Sequence, residues 1–394
     1  MSSTAEADIL YKVRSGSLSA AGVDITLASD LTAIEPVWRD FQTRASCTPF
    51  QTYEWMSACQ RTIGAAAGAV PVIVLLQRHG QLAAIIPLAF HNQRARQRIT
   101  FLGNSISDYN APLLAPSFAS LFPRRLFLTA WKELMAILRT RYGYAVLCLD
   151  KIPERVGDQR NPMAMLPKTP NASGAHHMAL GTDWESFYSA KRSSGTRRND
   201  RAKLRKMEAY GAVDVSSASD TDSAHRILET LVAQKSKWFE ERGIPNIFAN
   251  PGVSSFFREL LKTGPELIHL SELKIGDSSV ATNLGLRFNG CYYHILASHD
   301  DGPATRFGPG VLHLREIIQF AIREGCSRFD FTIGDEPYKF EWADSRLDLY
   351  DHVSGAGILG NLIAYGLTIK GAAKRTIKNT PALWKAASFV RSMI

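Results

Sequence analysis

Apolar and polar positions along the chain switch between a period of three to four and a period of two, and the switches mark its elements. Helical spacing runs through 30–44, with Ile34, Val37, Trp38 and Phe41 on one face, and resumes over 53–63 after the break at Thr48-Pro49-Phe50. Residues 70–77 and 82–90 read as an antiparallel strand pair turning at Arg78-His79-Gly80, and 98–102 as a further short strand. A polar loop, 103–110, then precedes a helix over 123–142 and a buried strand over 145–149. Between 151 and 175 the pattern dissolves around four prolines, which marks a linker or crossover. The second half opens with a helix over 182–189, a basic stretch over 191–206, a strand at 213–215 and a long helix over 221–242. A helix through Phe256 and Leu260 leads to paired strands at 268–275 and 280–288, turning at Gly276-Asp277.

The stretch 285–342 carries the sharpest pattern. It predicts a strand, a tight turn at Asn289-Gly290, a second strand over 291–297, a loop rich in Gly and Pro, and an amphipathic helix. Leu312, Ile317, Phe320 and Ala321 set the spacing of that helix, Gly325 stops it, and a strand over 329–333 ends in a charged turn. A Gly-rich loop opening a helix between strands suits a pyrophosphate held on backbone N–H groups. Both halves repeat helix, helix, hairpin, loop, helix, strand, which predicts an α/β (α+β) chain of two similar lobes.

Composition sharpens this only in part. At 394 residues the chain is long enough for two domains, and 45% hydrophobic with 21% charged residues describes a folded, water-compatible protein. The formal charge of +9 points to an anionic partner: a phosphate-bearing ligand, nucleic acid or a membrane surface. Cys47, Cys59, Cys148, Cys291 and Cys326 are scattered and odd in number, which argues against a zinc site or a disulfide framework and fits a reducing cytoplasm. The first residues hold no apolar signal-peptide core, and no run reaches the roughly 18 apolar residues of a membrane span. Residues 354–394 contain six Lys and Arg and no Asp or Glu, suiting either a packing arm or a basic segment peripheral to anionic lipid at an inner membrane. No GxSxG elbow or Walker A sequence is present.

Several pieces match a known pattern. They are Arg197-Arg198 with Leu204-Arg205-Lys206, Glu208 and Gly211; 280–285; Tyr292-Tyr293-His294; and Phe329-Asp330-Phe331 with the run GDEPYKFEW from Gly334 to Trp342. In the first half they are PFQTYEW from Pro49 to Trp55, Ile85-Ile86-Pro87-Leu88, Phe101-Leu102-Gly103 and Ser107-Asp108-Tyr109-Asn110. On these residues the chain resembles CelD-like proteins, named for cellulose biosynthesis, whose acetyltransferase domain belongs to the GNAT superfamily near the Fem peptidyltransferases. The resemblance implies two tandem GNAT-like lobes, a mixed sheet flanked by helices in each: a flexible leader over 1–20, lobes over 21–165 and 166–353, and a basic helical tail over 354–394. It further implies acetyl-CoA (or another acyl-CoA) as co-substrate, no metal, and a glycan or small-molecule acceptor between the lobes. The phosphate loop falls on Arg306, Phe307, Gly308, Gly310 and Val311; Pro309 within it supplies no donor.

The chemistry then narrows to a few side chains. His294, on an aromatic strand, is a candidate general base or a structural histidine. Asp335 and Glu336 follow a strand end, where loops expose functional groups, and Lys339 four positions on is placed to meet a phosphate or an oxyanion, or to pair on the surface. In the basic stretch, Arg197, Arg201 and Arg205 share a helical face with Arg198 beside them, and such forks suit phosphate or carboxylate groups of an acceptor. Asp108, Tyr109 and Asn110 are candidates for an acceptor groove, or a plain turn. Three functions follow: acyl-CoA-dependent N- or O-acyltransfer to a sugar, polysaccharide precursor or envelope component; Fem-like transfer from aminoacyl-tRNA; or a non-catalytic scaffold at a membrane.

Overall fold

The computed structural model describes residues 10–13, 16–93 and 96–380, which form two units. Within those residues the first comprises 10–173 with 348–380, and the second comprises 174–347.

The first unit begins with strand β1 (Leu10–Val13), helix α1 (Gly16–Ala20) and β2 (Val23–Ala28), then helices α2 (Glu35–Gln42) and α3 (Tyr53–Cys59). Strands β3 (Ala69–Arg78), β4 (Gln81–Gln93) and β5 (Arg96–Phe101) follow as an antiparallel meander. A loop carrying β6 (Leu113–Leu114) leads through α4 (Phe118–Leu121) to α5 (Arg124–Tyr142) and then to β7 (Val146–Pro153), which runs parallel to β5. The two-residue strands β8 (Arg155–Val156) and β9 (Gln159–Arg160) pair with each other, and β10 (Thr169–Pro170) closes the segment. Alternation along β3 and β4 buries Val72, Val74, Ile86 and Leu88 in one core with Phe127, Trp131 and Leu134 of α5.

The second unit repeats this order. Strand β11 (Ala175–Ala179) and helices α6 (Trp184–Lys191) and α7 (Ser194–Glu208) come first, then β12 (Val213–Ser217), α8 (Thr221–Glu241) and α9 (Pro251–Thr263). The meander is β13 (Ile268–Ile275), β14 (Ser278–Phe288) and β15 (Cys291–His299). Asn289, at a positive φ of 47°, and Gly290 turn the last pair, as a two-residue hairpin demands. Helix α10 (Pro309–Arg323) then crosses over to β16 (Arg328–Ile333), parallel to β15, and α11 (Pro337–Trp342) and β17 (Ser345–Leu347) end the unit. Each unit is thus strand, two helices, three antiparallel strands, loop, helix, parallel strand.

The structure differs from the sequence-based expectation at the joins. Residues 10–13, expected in a flexible leader, form β1 and pair with β2. The expected crossover at 151–175 contains the end of β7 and all of β8 to β10. Strand β18 (Leu349–Gly355), expected partly in the second lobe and partly in the tail, extends the first unit's sheet antiparallel to β7. The corresponding place beside β16 is filled by β11 from the chain before it. Helix α12 (Gly357–Asn379) packs on β18 and β7, and residues 381–394 of the expected tail lie outside the described residues.

Candidate active site

Strands β15 and β16 build the centre of the second unit, and they pair over only three positions, Cys291–Arg328, Tyr292–Phe329 and Tyr293–Asp330. At the next residue, His294, the ladder stops although both strands continue. On its other side β15 carries a bulge: Gly285 of β14 faces His294 and Leu284 faces Leu296, leaving Ile295 as the extra residue. A bulge twists a strand away from its neighbour and leaves backbone groups without ladder partners. Thr332 of β16 stands at a φ of 58°, a strained value for a β-branched residue, held by its N–H to Asp330 Oδ1 at 2.8 Å. The two strands part as a wedge from His294 onward, bridged at its start by Thr332 Oγ1, which donates to His294 O at 3.3 Å.

Its walls are ionisable groups. His294 is buried, its Nε2 has no hydrogen-bond partner, and the rings of Phe329, Phe331 and Tyr338 surround it. Burial pushes its pKa down to about 3, with Lys339, His313 and Lys235 adding to the shift, so the ring is neutral at pH 7. Lys235 of α8 donates to Ala297 O at 3.0 Å and lies over the Trp238 ring; burial lowers its pKa, partly offset by Glu336. Lys339 is buried and donates to Ile333 O at 2.9 Å while pairing with exposed Glu336 at 2.9 Å. It ties down the end of β16 and adds positive potential near His294. Burial, with Glu336 nearby, keeps the Tyr338 phenol protonated far above neutral pH. Asp335 is engaged with other strands: His176 Nε2 of β11 lies 3.2 Å from its Oδ1, and Arg346 of β17 at 3.7 Å. Of the four predicted catalytic residues, Lys339 pairs with exposed Glu336 and acts on His294 through its charge, and Asp335 is held by His176 and Arg346. Lys235, Tyr338 and His176 escaped the sequence reading; the Tyr338 signal was its place inside GDEPYKFEW.

The predicted phosphate loop sits at the start of α10. A short 3₁₀ turn, Thr305–Phe307, ends at Gly308, whose φ of 72° only glycine adopts readily. Val311 and Leu312 return their N–H groups to Gly308 O and Pro309 has none, so Gly310 N–H is the donor left at the tip among the described residues. Arg306 is exposed, donates to Tyr210 Oη at 2.6 Å and stacks on Phe307. A shallow pocket beside the loop is lined by Phe307, Gly308, Val311 and Arg315 together with Lys203 and Met207 of α7. The basic helix therefore meets the loop through Lys203 and through Lys206, whose Nζ lies 6.0 Å from the Phe307 ring centroid, whereas Arg198 and Arg201 are exposed elsewhere on α7 and Arg197 is half-buried.

The third predicted group lies in the first unit and is largely internal. Tyr109 and Asn110 are buried; the Phe50 ring lies 5.6 Å from Tyr109, and Asn110 donates to Asn104 Oδ1 at 2.7 Å and Asp150 O at 3.0 Å. Lys151 adds bonds to Asn104 O and Ser107 O at 2.7 and 2.6 Å. Tyr109 and Asn110 are thus held within the loop, as the plain-turn alternative has it, and Asp108 alone of the three is half-exposed.

Residues 194–340 match the acetyltransferase (GNAT) domain model. The GNAT domain thus spans α7, the loop at Gly308 and the wedge at His294, and the second unit is an acyltransferase domain of that type. Solved structures are similar over most of the chain. FemX is 9% identical with a TM-score of 0.57, covering 84% of this chain and 97% of its own. A conserved protein of unknown function from Bacteroides thetaiotaomicron VPI-5482 is 11% identical with a TM-score of 0.51, covering 82% and 98%. A tandem GNAT protein from the clavulanic acid biosynthesis pathway is 10% identical with a TM-score of 0.49, covering 85% and 100%. At such identities the first two establish the fold alone: two α/β units of similar element order, the second carrying the GNAT match. No curated protein matches the chain.

Proposed function

We propose that the GNAT domain transfers an acetyl group directly from acetyl-CoA to an amine or hydroxyl of a sugar, polysaccharide precursor or other envelope component. The observation that carries this reading is the bulged β15 parting from β16 at His294, with the Gly308–Gly310 turn at the start of the following helix. In this reading Gly310 N–H, Arg306 and Lys203 hold the phosphates, and the backbone at the bulge of β15 receives the acyl arm. Lys235, Lys339 and the neutral His294 ring stabilise negative charge on the thioester oxygen as the acceptor's N or O bonds to the carbonyl carbon. The C–S bond breaks, Glu336 takes the acceptor's proton, and the Tyr338 phenol returns one to the departing thiolate. Exposed Arg198 and Arg201 suit an acceptor bearing phosphate or carboxylate. The sugar and envelope assignment rests on the CelD-like residues.

The experiment is a mass-spectrometric search for products that require both acetyl-CoA and the protein in an extract of cell-envelope precursors. An acetylated glycan or lipid precursor, with matching thiol release, supports the reading; no acetyl-CoA-dependent product and no thiol release contradict it. The exposed arginines also favour a second reading, an aminoacyl-tRNA donor. Transfer from charged tRNA with no use of acetyl-CoA would decide for that one.

A further inference from the structure

Helix α12 turns the wrong way out for a helix in water. Its inward side is small: Gly360 and Ala364 are buried, and a Cβ at Gly360 would meet Ala145 O. Its outward side carries Ile358, Leu359, Leu362, Tyr365 and Ile369, exposed at 85, 67, 64, 68 and 51%. At 3.6 residues per turn, Ile358, Leu362, Tyr365 and Ile369 fall within an arc of about 60° opposite Ala364. Exposed Leu359 widens the arc on one side, and exposed Lys370 and Lys374 lie beyond it on that same side, while Arg375 and Lys378 face inward, bonding to Pro170 O and Ser173 Oγ. A contiguous apolar face of this kind marks a surface that something covers.

We propose that this face of α12 lies on an anionic lipid surface, its apolar arc among the acyl chains and Lys370 and Lys374 at headgroup level. Charge decides the occupant. From Ser354 to the last residue the chain has six Lys and Arg and no acid, so a second copy would set two cationic helices together with no carboxylate between them. Anionic lipid matches the apolar arc and the lysines at once. No described helix is long and apolar enough to cross a membrane, so the contact is a helix lying in the interface. This stands independently of the acyl-transfer reading, since α12 belongs to the first unit.

The test is co-sedimentation of the full chain with vesicles of equal parts phosphatidylcholine and phosphatidylglycerol, and with vesicles of phosphatidylcholine alone. The wild type should partition at least about tenfold more strongly to the anionic vesicles. Leu362→Glu with Ile369→Glu changes only exposed side chains, leaves the melting temperature in place, and should cut that binding by at least about tenfold. Lys370→Gln with Lys374→Gln should cut it about 25-fold, near fivefold per lysine, and less on neutral vesicles. The proposal is overturned if the wild type ignores anionic vesicles, or if the Glu pair at 362 and 369 binds as the wild type does. It is equally overturned if sedimentation velocity shows a dimer that this pair dissolves while the wild type binds no vesicles, which would make the face a contact between copies.

Discussion

Acid should unfold the second unit well before it protonates the carboxylates. Three histidines there, His269, His294 and His313, are buried and each has its pKa pushed to about 3, chiefly by burial. His269 is fixed between Ser217 Oγ and Tyr292 Oη, both at 2.8 Å, and stacked on Phe320; His313 Nε2 meets Ser271 Oγ at 3.0 Å. The unfolded chain binds a proton at each near the ordinary 6.5, whereas the folded chain refuses it until about 3. Between those values the unfolded state holds more protons, so stability is full above 6.5 and is lost as the pH falls. Each group costs about 1.4 kcal/mol per pH unit, so going from pH 7 to pH 5 removes about 2 kcal/mol apiece and about 6 kcal/mol together. Against a domain stability of about 5–15 kcal/mol, that is decisive. Urea midpoints followed by circular dichroism at pH 7.5, 6 and 5, with amide exchange over β13 to β15, measure it. His313→Asn, which can still bond Ser271, should flatten the slope by about a third. A midpoint that stays level or rises from pH 7 to pH 5 would refute the reasoning.

Other outcomes follow from single positions. Gly308→Ala meets nothing closer than Val311 at 3.7 Å but must adopt a φ of 72°, so it should cost about 1–2 kcal/mol and weaken acetyl-CoA binding, seen as a loss of ligand-induced thermal shift. Gly285→Ala drives a methyl group into the Tyr292 hydroxyl, which also serves His269 and Asn283, and should lower Tm by about 2–4 °C for each of the 1–3 kcal/mol that overpacking costs. Tyr338→Phe should lower kcat about 10²-fold or more with acetyl-CoA affinity retained; unchanged turnover would remove the phenol from the mechanism.

What the chain declares in advance is local. Asn289-Gly290 and Gly276-Asp277 announce their hairpins because few residues other than Gly, Asn and Asp tolerate those turns, and the apolar spacing of Leu312 to Ala321 announces α10. The parallel pairing of β15 and β16 follows once a helix must connect them. Pairings across long stretches carry no such mark. Residues 349–355 read as an ordinary short strand, and nothing in them names β7, some 200 residues earlier, as the partner. The same holds for His176 against Asp335, joined only because β11 lies beside β16. Tyr109 and Asn110 look like exposed turn residues by type, and only their bonds into the core show that they are buried. Lys203 was legible as charge but not as a neighbour of the loop, since that depends on how α7 packs on Phe307 and Leu312.

The central claim is that the loop at Gly308–Gly310 and the wedge at His294 form an acyl-CoA site, and calorimetric titration of acetyl-CoA tests it most directly. Gly310→Glu is the matched control: its Cβ has room, with His299 at 3.7 Å, and a carboxylate at a helix start leaves the helix stable while repelling phosphate. The wild type should bind with Kd between about 1 µM and 1 mM, and a folded Gly310→Glu chain should lose that binding. No heat of binding at millimolar acetyl-CoA, or equal affinity in the two chains, would contradict it.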